Sequence, residues 1–355
     1  MPHPEFLSIC EQVTAYLRGE LGRGRWSGSM PGLKALALEL GINEKTAGLA
    51  LGQLEREGLL VPQGDRRKRL IGPGAVRSTT PSLRLAMLPT EASDRRLDYV
   101  IELQYHLEQA GHVVIWPPAS LAELRMDVKR TARLVNRTLA DAWVVFAASS
   151  ELLEWFSTQR LPVLALFGRR RGLPVAGVGP DKVPAYAAAT QALIALGHRR
   201  IVLLARPRRR LPEPGESERA FLRELDAHGI TPGPYHLPHW EETIGDFQQN
   251  LESLFRLTPP TALIIQEAPL FAAAQQFLLH RGIRVPEQVS LVCTDADVHF
   301  DWCRPTVAHI RWDNRPVVRR IVRWAANLSR GRKDLQQTLT PAEFVPGGTI
   351  GPAPR

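Results

Sequence analysis

The chain is 355 residues long, and its 44% hydrophobic and 23% charged residues are typical of a folded globular protein. This composition excludes long disordered regions. The length exceeds what one hydrophobic core usually serves, so the sequence predicts two or more domains. The formal net charge of +9 suits a partner that is rich in phosphate, but a basic surface alone does not identify that partner.

The three cysteines, Cys10, Cys293 and Cys303, lie far apart or at irregular spacing. This spacing supports neither a disulfide framework nor a zinc site, and it favours a reducing compartment. No His-Glu-x-x-His motif or paired-cysteine spacing occurs, so we expect no metal. The amino-terminal segment lacks the apolar core of a secretory signal, and no apolar run approaches the roughly 18 residues of a membrane span. We therefore expect a cytoplasmic protein without a membrane partner.

The amino-terminal part shows three stretches with helical periodicity. Apolar residues recur every three or four positions from Glu5 to Leu21, and a second stretch, Leu33–Leu40, stops at Gly41. A third stretch begins after Asn43, a favourable N-cap residue, and runs to Glu57. Two helices joined by a short turn that contains glycine have the helix-turn-helix layout.

A short hairpin and a connector follow these helices. The apolar segments Leu59–Val61 and Arg69–Ile71 flank a turn with a basic tip, which predicts two paired strands, or a wing. Residues Gly72 to Ser82 combine proline, glycine, serine and threonine, the composition of an exposed linker.

From Leu83 onward, short apolar runs alternate with helical stretches such as Tyr99–Ala110 and Ala185–Leu196. This alternation predicts an α/β fold with parallel sheets covered on both faces, in two lobes, with ligands bound at the carboxyl ends of strands. The predicted strands are Leu83–Leu88, Val113–Trp116, Ala142–Ala147, Pro162–Phe167, Val175–Val178, Ile201–Ala205, Tyr235–Leu237, Ala262–Gln266 and Val289–Cys293.

The runs from Met30 to Asn43 and from Ala50 to Leu60 resemble the GntR-type winged helix. The resemblance implies that the helix starting near Asn43 enters the DNA major groove and that the basic hairpin tip reaches the backbone or the minor groove. Glu44 and Gly48 stand where this family usually carries arginines, so base contacts fall to other side chains. The implied DNA-contacting residues are Lys34, Asn43, Lys45, Thr46, Arg66, Arg67, Lys68 and Arg69.

The remaining chain resembles the sensing domain of LacI/GalR-type repressors, relatives of the periplasmic binding proteins. The matching segments are Asp181 to Ile201 with its Leu-Gly-His turn, Glu218 to Phe221, and Gly282 to Asp295. The resemblance implies that Asp295 and Arg219 bind ligand hydroxyls and that Asp181 lies at the crossover between two lobes. Trp302 follows the Asp295 loop, where an indole suits an apolar sugar face.

The chain departs from that family at two places. Glu267-Ala268 replaces the usual Asn-Asp pair, and the arginine usual near the carboxyl terminus falls in Pro346-Gly347-Gly348. Arginines also cluster at Arg169–Arg171 and around Arg206–Arg210, where they form either solvated loops or an anion site. His198 in the Leu-Gly-His turn is expected to be structural.

Together these observations predict a winged helix-turn-helix domain at 1–72, a linker at 73–82, and a two-lobed, periplasmic-binding-protein-like domain at 83–355. The predicted function is a transcriptional regulator that acts as a homodimer on operator DNA, under control of a small molecule that is predicted to be a sugar. No cofactor and no catalytic residue are expected.

Two alternatives remain open. In the first, the larger domain binds no ligand and only mediates dimerisation. In the second, a GntR-type head is fused to an enzyme that resembles a pyridoxal-phosphate aminotransferase. The second domain is short for that fold and has few lysines.

Overall fold

The computed structural model describes residues 9–22, 25–26, 28–63, 68–72, 81–170, 172–211 and 213–354, with the backbone alone for Lys68 and Arg208. As far as its residues are described, the chain forms two compact units. Unit 1 comprises Met1–Val145, Thr158–Leu164 and Ile321–Leu335, and unit 2 comprises Phe146–Ser157, Ala165–Arg320 and Gln336–Arg355. Most of the predicted linker lies outside the described residues.

Helices and strands are numbered in chain order. The helices are α1 (Ile9–Gly22), α2 (Leu33–Leu40), α3 (Glu44–Arg56), α4 (Asp98–Gln109), α5 (Val128–Arg137), α6 (Ser150–Ser157), α7 (Val183–Ala195), α8 (Pro207–Arg210), α9 (Glu216–Ala227), α10 (Ile244–Leu257), α11 (Ala268–His280) and α12 (Arg315–Ser329). The strands are β1 (Leu60–Gln63), β2 (Lys68–Ile71), β3 (Arg84–Leu88), β4 (Val113–Ile115), β5 (Ala142–Phe146), β6 (Val163–Leu166), β7 (Ala176–Asp181), β8 (Ile201–Leu204), β9 (Ala262–Ile265), β10 (Ser290–Cys293), β11 (Ala308–Trp312) and β12 (Gln337–Val345).

The amino-terminal part of unit 1 is a cluster of three helices around a small apolar core. Leu17, Leu51 and Leu54 in this core have no exposed surface. Asn43 caps α3 as predicted, because its Oδ1 accepts a hydrogen bond from the backbone N–H of Thr46 at 2.7 Å. The predicted bounds of α2 and α3 are confirmed within one residue, whereas the predicted start of the first helix at Glu5 lies outside the described residues.

The predicted hairpin is also present. β1 and β2 pair in antiparallel register with Leu60 opposite Ile71, and Leu70 forms a further bridge to Ser29. The hairpin turn, which carries Arg66 and Arg67, lies outside the described residues. Unit 1 also contains a parallel arrangement in which β3 pairs with β4 on one side and with β5 on the other.

The sheet of unit 2 has the strand order β7-β12-β11-β10-β9-β8. β8, β9, β10 and β11 are parallel, whereas β12 runs antiparallel to β11 and parallel to β7. Alternate residues of β8 enter two different cores, with Ile201 and Leu203 in one and Val202 and Leu204 in the other. A strand buried on both faces requires an unbroken apolar run, which explains the sequence pattern. The predicted α/β fold with a mostly parallel sheet is confirmed.

Proline accounts for two differences between the predicted and the observed strands: one predicted strand is absent, and one observed strand was not predicted. Tyr235–Leu237 is not a strand, although the carbonyl of His236 accepts a hydrogen bond from Leu203 N–H at 2.8 Å. Pro234 and Pro238 flank this segment and lack the N–H groups that a ladder needs. Conversely, β12 was not predicted, and it tolerates Pro341 where its pairing changes from β7 to β11. The alternating β11 was missed as well. Among the described residues, no helix is long and apolar enough to cross a membrane.

Candidate functional site

Backbone strain marks the carboxyl ends of three strands. Of the five non-glycine residues with positive φ in the described chain, three directly or closely follow β5, β6 and β9. They are Ala147 at 37°, Phe167 at 65° and Glu267 at 66°. Such conformations cost free energy and cluster at binding sites. The strand ends of unit 2 are therefore the candidate ligand site.

A buried ion pair lies beside these strand ends. Arg209 in α8 donates its Nε–H to Oε1 of Glu218, in the first turn of α9, at 3.1 Å. The Glu218 side chain has no exposed surface, whereas that of Arg209 keeps 29%. Burial lowers the pKa of Arg209, but the Glu218 charge, Tyr186, the hydrogen bond to Glu218 and Asp295 together leave that pKa raised. The second oxygen of Glu218, Oε2, is buried and has no hydrogen-bond partner within the described part of the chain.

Tyr186 of α7 lies in the same cluster. Its side chain is fully buried, and burial followed by the nearby Glu218 charge raises the pKa of its phenol. The phenol therefore stays neutral and keeps its proton. We call the group formed by Arg169, Tyr186, Arg209 and Glu218 the polar cluster.

Arg169, which follows β6, reaches across to the segment that follows β8. Its Nη2 donates to the backbone oxygens of Arg209 and Glu213, both at 2.6 Å. Its Nε is buried and has no hydrogen-bond partner among the described residues. Burial, and then the positive charge of Arg209, lower the pKa of Arg169 against the opposing effect of Glu218 and Glu213. The polar cluster thus holds two guanidinium groups and one buried carboxylate.

Asp295 follows β10, as predicted, but its carboxylate already has a cationic partner. Lys182 forms an ion pair with Asp295 and donates to the backbone oxygen of Thr294 at 2.9 Å. Asp181 accepts a hydrogen bond from Val183 N–H at 3.2 Å, at the start of α7. Both predicted residues lie near the strand ends, where each has an intramolecular partner.

The two other predicted ligand residues lie at the surface. Arg219 is 37% exposed and pairs with Glu216 at 3.0 Å and with Glu213 at 3.4 Å. Glu218 and Arg219 are adjacent in α9, yet Glu218 lies on its buried side and Arg219 on its exposed side. Trp302 is 88% exposed on the turn Val298–Trp302.

The departures from the family pattern have local explanations. Glu267 forms an ion pair with Arg206 at 2.8 Å, and Arg206 also pairs with Glu242. A Cβ at Gly347 would lie 2.5 Å from the backbone N of Ala308, so no side chain fits there.

An aromatic pair, Phe167 and Trp312, lies at the ends of β6 and β11 with ring centroids 5.7 Å apart.

Sequence reasoning missed the polar cluster because its members come from four separate segments. The arginine runs contained Arg169 and Arg209, but nothing in the sequence showed which arginines would meet groups from other segments. Glu218 belonged to the matched segment, yet the helix phase that turns it inward depends on packing.

His198 is structural as expected, because its ring contacts Thr261 Oγ1 at 3.0 Å and the backbone oxygen of Gly351 at 2.9 Å in the interior.

The predicted DNA-contacting residues lie on the helices and hairpin of the amino-terminal cluster. Lys34, Asn43 and Lys45 are exposed, and Thr46 is half-buried beside the cap of α3. Arg69 forms an ion pair with Glu55 and keeps 19% of its side-chain surface. Arg66, Arg67 and the Lys68 side chain lie outside the described residues. No cluster of potential metal ligands occurs in the described segments.

Comparison with known proteins identifies the fold. Residues 190–350 match the family model of a periplasmic binding protein-like domain. No curated protein sequence matches the chain. Among solved structures, a dimeric Lac repressor is similar with a TM-score of 0.63 and 18% identity, over 76% of this chain and 100% of that one.

Two further solved structures are similar over all or nearly all of their own length. A LacI family regulator from Enterococcus faecium with bound ribose has a TM-score of 0.60 and 16% identity, over 76% of this chain and 99% of that one. The transcriptional regulator CelR in complex with cellobiose has a TM-score of 0.63 and 17% identity, over 90% of this chain and 100% of that one. The chain therefore has the periplasmic binding protein-like fold that LacI-family regulators share.

Proposed function

We propose that this protein is a DNA-binding transcriptional regulator whose operator affinity is controlled by a small molecule bound at the strand ends of unit 2. The observation that carries the proposal is the combination of a compact three-helix head with the fold shared by LacI-family regulators. The proposed domains are a head at 1–72, a linker at 73–82 and a two-lobed sensing domain at 83–355.

The head is best interpreted as a winged helix-turn-helix of the GntR type. The turn between α2 and α3 and the antiparallel β1–β2 pair support this interpretation. In it, the amino-terminal turn of α3 contacts bases, and the hairpin tip contacts phosphates. Because Arg69 is held by Glu55, phosphate contacts by the hairpin fall to Arg66, Arg67 and Lys68.

A matched pair of lysines tests the DNA-binding face. Lys45 is the second residue of α3 after the N-cap Asn43, and Lys129 is the second residue of α5 after the N-cap Asp127. Both lysines are exposed. We expect Lys45→Ala to weaken binding to a labelled duplex selected from a random pool and to reduce the preference for that duplex over unselected DNA, because base contacts carry specificity. Lys129→Ala should leave affinity and preference unchanged, and equal effects of the two variants would exclude α3 as the DNA-reading helix.

The effector is proposed to be a hydroxylated small molecule of the carbohydrate class. Two structurally similar regulators hold ribose and cellobiose, and carboxylates such as Asp295 and Glu218 suit hydroxyl donors. A panel of sugars should contain one that raises the melting temperature and alters affinity for the selected duplex. The variant Asp295→Asn should fold, bind DNA and lose much of that response. We also propose that the protein acts as a homodimer in the cytoplasm. Sedimentation of the purified protein would measure its oligomeric state.

One observation favours the alternative of a domain that binds no ligand. Lys182 pairs with Asp295, and Arg206 pairs with Glu267 and Glu242, so several polar groups at the strand ends already have partners. In this alternative the domain serves dimerisation alone, and no compound changes either the melting temperature or the DNA affinity.

A further inference from the structure

The polar cluster has more positive than negative charge. Glu218 is engaged by the Nε–H of Arg209, so it does not serve Arg169 as a close partner. Arg169 donates hydrogen bonds to two backbone oxygens, which carry no formal charge. Glu213 does not fill this role, because its side chain is 71% exposed and pairs with Arg219. Arg169 is half-buried, but its Nε is fully buried, and a buried N–H of a charged group without an acceptor is costly unless a ligand supplies one.

The cluster also contains complementary unused atoms. The Nε–H of Arg169 is a donor without an acceptor, and Oε2 of the fully buried Glu218 is an acceptor without a donor. The neutral phenol of Tyr186 lies near Glu218. An anion alone would satisfy the Nε–H of Arg169 and leave Oε2 of Glu218 without a donor, whereas a neutral polyol would satisfy Oε2 and leave the Nε–H of Arg169 without an anionic acceptor. A ligand that carries both groups satisfies both residues.

We propose that the effector is an anionic polyol, with a carboxylate or phosphate group bound by Arg169 and a hydroxyl group donating to Glu218. This inference rests on the proposed function and specifies its ligand. Charge-assisted hydrogen bonds are about twice as strong as neutral ones. A charged sugar derivative should therefore bind about tenfold or more tightly than the neutral sugar of the same skeleton.

The test compares glucose, gluconate and glucose 6-phosphate, together with inorganic phosphate and malonate, at constant ionic strength. Thermal unfolding and calorimetric titration are measured for the full chain and for Arg169→Gln, Arg169→Lys and Arg281→Gln. Arg281 is the matched control, because its removal changes the net charge equally while its partner Glu252 lies on the surface.

We expect at least one anion to raise the melting temperature of the wild type and of Arg281→Gln above that in chloride. Arg169→Lys should retain part of this rise, and Arg169→Gln should lose it. A response to gluconate and malonate identifies a carboxylate ligand, whereas a response to glucose 6-phosphate and phosphate identifies a phosphorylated one. The inference is overturned if no anion stabilises the protein, if glucose binds as tightly as its charged derivatives, or if Arg169→Gln responds like the wild type.

Affinity for the selected duplex separates this inference from the proposed function. If a neutral sugar changes DNA affinity, the protein is a ligand-controlled regulator but the proposed ligand chemistry is wrong. If an anion binds through Arg169 without changing DNA affinity, the ligand chemistry is right and regulation by that ligand fails.

Discussion

Removing the charge of Glu218 tests the energetic role of the polar cluster. Glu218→Gln keeps the size of the side chain but leaves the guanidinium of Arg209 without its counterion. Breaking a fully buried ion pair by removing one partner typically costs about 3–5 kcal/mol. Arg209 keeps 29% of its side-chain exposure, so solvent screens part of this cost. We expect a loss of about 2–3 kcal/mol in the free energy of unfolding.

The partly exposed pair between Lys182 and Asp295 provides the comparison. Its side chains retain 18% and 29% of their exposure, and Asn at 295 still offers an oxygen to Lys182. Asp295→Asn should therefore cost about 1 kcal/mol or less. The difference between the two variants follows from the zero exposure of Glu218 rather than from the number of ion pairs broken.

Urea unfolding followed by circular dichroism measures both variants, and a double-mutant cycle isolates the pair. The double variant Arg209→Gln with Glu218→Gln should recover about 1–2 kcal/mol relative to the sum of the single variants. A Glu218→Gln variant within about 0.5 kcal/mol of the wild type would refute the reasoning, as would strictly additive single effects.

Three further predictions concern the cap of α3, the packing of Gly347 and the interior histidine. Asn43→Ala and Asp127→Ala each remove an N-cap and should each cost about 1 kcal/mol in chemical denaturation, but only Asn43→Ala should weaken DNA binding. Gly347→Ala should cost about 1–3 kcal/mol, because its Cβ meets backbone atoms at 2.5 Å, whereas Gly233→Ala, with nothing within 4 Å, should be nearly neutral. Burial lowers the pKa of His198 below its ordinary 6.5, so the unfolded chain takes up a proton first as the pH falls. The free energy of unfolding should therefore decline from about pH 6.5 down to the folded pKa, and its difference from His198→Gln should shrink over that range; a constant difference would show that His198 does not titrate in this way.

Local signals in the sequence were sufficient for much of the fold. The helical stripe, the N-cap at Asn43 and the glycine at Gly41 placed α2 and α3 correctly because the forces that start and stop a helix act within one turn. The apolar runs of β8, β9 and β10 identified buried parallel strands because both of their faces are covered. The predictions were wrong for Tyr235–Leu237, which is not a strand, and for β12, which was not predicted. Whether a segment that contains or adjoins proline forms a strand depends on the neighbouring strand with which it pairs.

The sequence by itself determined the α/β class, the helical head with its hairpin, and Asp295 as a polar residue at a strand end. The tertiary structure alone decided which charges meet. Glu218 and Arg219 are adjacent in the chain, yet one is fully buried against Arg209 and the other pairs at the surface. Arg169 and Glu213 are 44 positions apart, yet they share a hydrogen bond. Such pairings depend on helix phase and on the convergence of distant strand ends, and neither is encoded in local periodicity.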